Sequence, residues 1–377
     1  MKTGNSGLNA PVCLAAALLS VLLFSGAAWA ADYWVAPSGS DSNPGARTAP
    51  LKTIGKGLSL LKQGDTLTVA PGVYKESNEF TGTGTKEEPI TIRGLQGAEI
   101  QATGRDGILF SDCYWVNVEN LKVTGAKRAG FLAARSSHVA FKSCVSGDNG
   151  VWGIQTTMSD HVSVEKCELY GSKEQHGVYF STTDYPTVID SSIHDNASCG
   201  VHMNGDLSEG GDGVITGAYI ARNKIIGNGA KGGAAINMDG VEKSTIEKNV
   251  CDRNLAGGIV SFKTDAAKAG SNNKFLGNVV RFEPGKGRFG IQLAGGSTKA
   301  YLEQNTIAIN NGPAVSVDEA SAKGFKSSFN LYDGLGGRLT FWWKGRTLEF
   351  REWQAATGQD ADSHVVEKAP AAPGPAK

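Results

Sequence analysis

Three segments in the middle of this chain set chemically capable side chains at matching positions: Gly177-Val-Tyr-Phe-Ser, Gly200-Val-His-Met-Asn and Ala235-Ile-Asn-Met-Asp. If each is a β-strand, alternation turns Val178, Val201 and Ile236 inward and the residues after them outward. The outward column then reads Gln155, Tyr179, His202, Asn237, Val260, Gln292, and a second column two residues on reads Thr157, Ser181, Asn204, Asp239, Phe262, Ala294. Phenol, imidazole and amides side by side suit removal of a proton from a carbon next to a carboxylate. Such a step needs the carboxylate's charge offset by a cation or by amide donors, and it needs a base near neutral pKa. His202 or Lys263 is the expected base and Tyr179 the acid. Asn204, Asn237, Gln155 and Gln292, with His176 at the adjoining turn, are the expected substrate contacts.

Two insertions interrupt the pattern beside these strands, Gly205-Asp-Leu-Ser-Glu-Gly-Gly-Asp-Gly213 and Lys263-Thr-Asp-Ala-Ala-Lys-Ala-Gly-Ser-Asn-Asn273. Both leave the same edge of the sheet and are placed to wall a cleft. Asp206, Glu209 and Asp212, with Asp239 nearby, offer hard oxygen ligands for Ca²⁺, although glycine-rich acidic loops are also common as plain solvated surface. Two of Asp206, Asp212 and Asp239 could alternatively serve as the carboxylate pair of a hydrolase.

These side chains need a repeating scaffold, and the repeat is legible. The strand signature recurs at Gly153, Gly177, Gly200, Ala235, Gly258, Gly290 and Ala314. A second strand ends in a small polar position at Cys144, Cys167, Ser192, Asn223, Asn249, Asn278, Asn305 and Asn330. No helical pattern intervenes, so each repeat is one coil of a solenoid rather than a βαβ unit. The expected fold is all-β, a single-stranded right-handed parallel β-helix of about ten coils, its hand taken from the bias of parallel crossovers. Asparagines stacked coil on coil can bond one another's amides and the turn backbone. Cys144 and Cys167 stack in the same column, as free thiols or as a bridge.

The ends carry closures. Leu51, Ile54, Leu58 and Leu61 mark one face of a short capping helix within residues 31–75, and Leu339–Trp343 with Leu348–Phe350 read as a capping hairpin within 335–366. Residues 1–30 have the basic start, apolar run and Ala28-Trp-Ala30 site of a signal peptide, which places the product in the periplasm or outside the cell. The alanine- and proline-rich residues 367–377 read as a disordered tail. With 37 basic and 37 acidic residues the chain has no formal net charge, which gives no reason to expect nucleic acid as a partner, and no segment of residues 31–366 is apolar enough for membrane insertion. Fifty glycines against 12 prolines, without a collagen triplet, fit repeated turns. His138 and His161 share one repeat position and should stack outside the helix, away from the stripe.

The opening Tyr33-Trp-Val-Ala-Pro-Ser-Gly-Ser-Asp-Ser-Asn-Pro-Gly45, with Ala49-Pro-Leu-Lys-Thr-Ile54 and Gly64-Asp-Thr-Leu-Thr-Val-Ala-Pro-Gly-Val-Tyr74, resembles the start of secreted β-helix proteins of the pectate-lyase-like superfamily. It is closest in style to the family 9 polysaccharide lyases. The resemblance implies a monomeric enzyme acting on an acidic polysaccharide, as a lyase or C5 epimerase. A glycoside hydrolase and a non-catalytic glycan-binding or assembly protein are the alternatives. The exposed aromatics on the columns, Tyr179 and Phe262 almost alone, lean the reading towards catalysis.

Overall fold

The computed structural model describes Met1, Gly4 and residues 30–366; the expected signal peptide and tail fall outside them, apart from its edges. The described chain is a parallel β-solenoid. One sheet has 12 strands, one from each coil, running from Gly72–Tyr74 to His364–Val365. A larger 24-stranded sheet wraps the remaining sides of the coil. The strands pair in parallel from coil to coil, the terminal hairpin Thr340–Trp343 with Arg346–Leu348 being antiparallel. There are more coils than the repeat alone suggests because short strands at both ends, such as Gly72–Tyr74 and His364–Val365, lie inside the segments assigned to caps.

Inside, Ile154, Val178, Val201, Ile236, Ile259, Ile291 and Val315 stack in one fully buried file. Each coil therefore covers the apolar surface of the one before it, and no coil could bury its own inner face alone.

The polar ladder runs beside this file. Asn223, Asn249, Asn278, Asn305 and Asn330 stand in line, each backbone N–H donating to the next Oδ1 at 2.8–3.1 Å. Their side-chain amides donate in turn to the next Oδ1 and to carbonyls such as Ile220 O. On the earlier coils the member is Ser191 rather than the expected Ser192. Ser191 Oγ accepts from Cys167 N–H and its own N–H donates to Asn223 Oδ1, whereas Ser192 begins the next strand. Cys167 Sγ accepts from Cys144 N–H at 3.4 Å, and the five described cysteines are all free and buried. A second ladder, Ser172, Asn196, Asn228 and Asn254, continues the same device five residues further along each coil, each backbone N–H donating to the next Oδ1.

The N-terminal closure is the short helix Ile54–Leu58, whose Ile54 and Leu58 are buried with Leu51, while Leu61 is only partly covered. At the other end the expected hairpin is present with its second strand at Arg346–Leu348, and Phe350 begins a helix, Phe350–Thr357, instead of continuing that strand. Glu352 turns back to accept from Glu349 N–H, and Gly358 ends the helix in the left-handed region. Trp353 is fully buried, stacked on Phe341 with centroids 5.1 Å apart, and its Nε1–H donates to Asp360.

Candidate active site on the outer face of the sheet

The two outward columns have the register the alternation predicts. Gln155, Tyr179, His202, Asn237, Val260 and Gln292 are successive partners. Thr157, Ser181, Asn204, Asp239 and Phe262 form the second column. The face is not an open one, however: Gln155 is 7% exposed, Asn204 5%, Asp239 1% and Ser181 not at all.

The two insertions supply this cover by pairing with each other. Asp206 bridges Ala266, Leu207 N–H reaches Asp265 O, and Ala267 N–H donates to Gly213 O. Gly240 sits beneath this junction at φ +65°, where a β-carbon would lie 2.1 Å from the Ala266 side chain. The loops thus form one wall over the His202 and Asn237 strands.

Histidine 176 and His202 make a chain with a defined direction. Cys199 N–H donates to His176 Nδ1 at 3.1 Å, so the proton of neutral His176 is on Nε2. That Nε2 is 2.9 Å from His202 Nδ1, which must accept. Neutral His202 then carries its proton on Nε2, a buried atom with no partner. Burial lowers the His202 pKa to about 4 and holds His176 well below the usual histidine value, the neighbouring His202 adding to it. With its Nδ1 lone pair engaged by His176, neutral His202 presents an N–H donor on Nε2. A metal on His176, Cys199 and His202 would displace the Cys199 N–H from His176, so the donor pattern does not fit that cluster to an ion.

Tyr179 packs between this pair and Trp152, whose ring lies parallel to it with centroids 5.5 Å apart. Burial raises the phenol's pKa and keeps it protonated. Asn204 Nδ2 donates to the Tyr179 oxygen at 3.3 Å and faces Asp265 Oδ2 at 3.5 Å. Asn204 Oδ1 consequently points away from both and has no partner. Among the described residues five buried side-chain polar atoms lack a partner; Gln155 Oε1, His202 Nε2 and Asn204 Oδ1 are three of them. Orphaned polar groups are costly, and three of the five lie together on this one short stripe.

The carboxylates do not gather. Asp206 caps its own turn through Ser208, Asp212 accepts from Val214 N–H, and Asp239 accepts from the N–H groups of Thr264 and Asp265. Burial raises the Asp239 pKa despite those two donors. Each is engaged in holding a loop, so the expected Ca²⁺ ligand set of Asp206, Glu209, Asp212 and Asp239 is not assembled. Glu209 instead reaches across to the second column, accepting from Ser181 Oγ at 2.6 Å and Thr157 Oγ1 at 2.8 Å. Lys263 donates to Ala267 O and stands at the rim of the stripe rather than beside Tyr179.

Sequence reasoning missed Asp265, Trp152 and Phe289. Trp152 and Phe289 lie just outside the five-residue strand signature, so neither column contains them. Their presence removes the argument that aromatics are scarce on this face. Beyond Asn237 the stripe opens into a cleft of about 360 Å³ floored by Val260, Phe262 and Phe289, with Gln292, Lys263 and Arg288 around it. His138 and His161 stack elsewhere on the outside, in a column with Trp115 and Tyr185, as their shared repeat position predicts.

Residues 81–207 match the family model described as a right handed beta helix region. The uncharacterized protein YwoF of Bacillus subtilis (strain 168) is 26% identical over 147 residues, a match that spans 34% of this chain and 30% of that protein. Among solved structures, an alginate lyase from Paenibacillus sp. str. FPU-7 aligns with 67% of this chain and 91% of its own, at 19% identity and a TM-score of 0.55. The pectate lyase Pel9A aligns over 91% of this chain and 81% of its own (14%, 0.52). The GH136 lacto-N-biosidase from Eubacterium ramulus aligns over 89% and 68% (13%, 0.58). At these identities the likeness shows the fold: this chain shares the right-handed parallel β-helix on which those two lyases and that lacto-N-biosidase are built.

Proposed function

We propose that the chain is an exported enzyme acting on an acidic polysaccharide, and that its stripe removes the proton next to a uronate carboxylate. The observation that carries this reading is the unpartnered Nε2–H of His202. A neutral imidazole with a depressed pKa, buried beside the reacting carbon, stabilises the negative charge that grows on a carboxylate as its α-proton leaves. An imidazolium would instead surrender its proton, and a solvated imidazole would be weakened by water.

The remaining roles follow from position. Glu209, held over the second column by Ser181 and Thr157, takes the proton from the sugar carbon. Tyr179, kept protonated by burial, gives its proton to the glycosidic oxygen as that bond breaks and the carbon–carbon double bond forms. Proton return through water from Glu209 to Tyr179 closes the cycle. Re-protonation of the carbanion from the opposite face, without bond cleavage, would give epimerisation from the same intermediate. Gln155 and Asn204 contact sugar hydroxyls through their free amide oxygens.

A second reading rests on Glu209 and Asp265, two carboxylates flanking Ser181 and Asn204, which could act as the acid and base of a glycoside hydrolase. Incubation with a panel of uronate polymers separates the two. Elimination yields unsaturated chain ends that absorb in the ultraviolet, whereas hydrolysis yields new reducing ends without that absorbance. Reducing ends alone would overturn the elimination reading.

A further inference from the structure

The cleft beyond Asn237 is lined differently from the reacting stripe. Val260 is 6% exposed and Phe289 9%, and together with Ala234 and Phe262 they form an apolar cluster on the outside of the coil, separate from the main core. Gly257 makes room for the Phe289 ring: a β-carbon there would lie 2.3 Å from its tip. Two exposed cations border this floor. Arg288 donates one N–H to Gly233 O at 2.7 Å and has its guanidinium 5.9 Å from the centre of the Phe289 ring. Lys263 gives one of its protons to Ala267 O at 3.0 Å. Neither takes part in an ion pair among the described residues. Each keeps further donors free, and Gln292 adds an amide to the same lining.

From this geometry we infer that the cleft binds the carboxylate of a second sugar unit of the same chain, so that the ligand is a run of consecutive uronates. The inference rests on the glycan reading above and adds a charge requirement away from the reacting unit. Gln292 lies three coils from His202 in the same column, roughly 14 Å at the strand spacing of a β-sheet. A chain lying along the column therefore brings a different sugar unit to each place. Phe262 and Phe289 take the carbon–hydrogen face of that unit, while Arg288 and Lys263 meet its carboxylate. Unpaired cations over an apolar floor favour an anion because the low-dielectric surface weakens solvent screening.

Binding tests this without any need for turnover. Calorimetric titration would use hexamers of galacturonate, mannuronate and glucuronate, with cellohexaose as the neutral probe. The wild-type protein should bind at least one uronate hexamer more tightly than cellohexaose, and added salt should narrow the gap. Arg288→Ala and Lys263→Ala should each weaken that hexamer by about tenfold, the loss of one charged contact, and leave cellohexaose unchanged. Melting temperatures should stay near wild type because both side chains are exposed. Equal binding of acidic and neutral hexamers by the wild type, or parallel loss of both in the variants, would overturn the inference. Charge-selective binding with no proton removal would leave this subsite standing and refute the reaction; proton removal with charge-blind binding would do the reverse.

Discussion

His176 Nε2 lies 2.9 Å from His202 Nδ1, and the Cys199 N–H on the far side of His176 fixes which nitrogen donates. A backbone amide can only donate, so the direction passes from Cys199 through His176 to His202 and ends at a free Nε2–H. A buried ring, His176, and a half-buried one, His202, thereby hold one donor in place.

Replacing His202 with alanine should lower turnover by about 10²–10³, the effect of losing one donor to a developing anion. It should also cost stability, because His176 Nε2–H would be left buried and unpaired, at about 1–3 kcal/mol. Kinetics and thermal melts of the same preparation check both numbers. His202 is partly covered and bonded, so it is not the stability-neutral outward residue that strand alternation alone implies.

Stability should fall with acid over a defined window. The folded pKa of His202 is about 4 against an ordinary 6.5, so between those values the unfolded chain binds more protons than the native one. The contribution is fully present above about pH 6.5 and is lost as pH drops through about 4, at most about 1.4 kcal/mol per pH unit for each such histidine. His176 acts in the same direction. Denaturant melts of wild type and His202→Gln should converge as the pH falls across this range, and parallel curves would contradict the assignment.

Glu209→Gln should reduce turnover by about 10²–10⁴ if Glu209 takes the proton, whereas Asp212→Asn, whose carboxylate bonds only its own loop, should stay close to wild type. Chelator should change neither the rate nor the melting temperature. Loss of both in chelator, with recovery on adding Ca²⁺, would show that the acidic loop closes round an ion after all.

In the ladder, Asn249→Leu removes an amide that bonds Asn223, Asn278 and Ile220 O. Leucine leaves buried donors and acceptors without partners, so urea denaturation should report a loss of at least about 1–3 kcal/mol. A neutral outcome would mean that water replaces the amide.

Coil period, inward file and both outward columns were readable because a strand's period of two turns residue spacing directly into facing. The same logic placed His138 and His161 together on the outside. What alternation cannot give is the path of a loop. The acidic insertion could be located but not its fold, so Glu209 was grouped with Asp206 and Asp212 rather than with Ser181 and Thr157, and Asp265 was passed over. Ser192 was off by one because the ladder runs through the turn, where the last residue before the strand, Ser191, is the one that faces in. The direction of the His176–His202 hydrogen bond could not be read at all, since it depends on a backbone N–H of Cys199 that only the folded coil brings to His176.

The most direct measurement of the central claim follows hydrogen at the carbon next to the carboxylate. Uronate polymers deuterated at C5 would be incubated with the protein and the label followed by NMR, a reading common to lyase and epimerase and foreign to a hydrolase or a binding protein. The account predicts loss of the C5 deuterium with wild-type protein and suppression of that loss by at least about a hundredfold in His202→Ala and Glu209→Gln. Full retention of deuterium in every polymer the protein binds, or a loss that both variants leave unchanged, would contradict it.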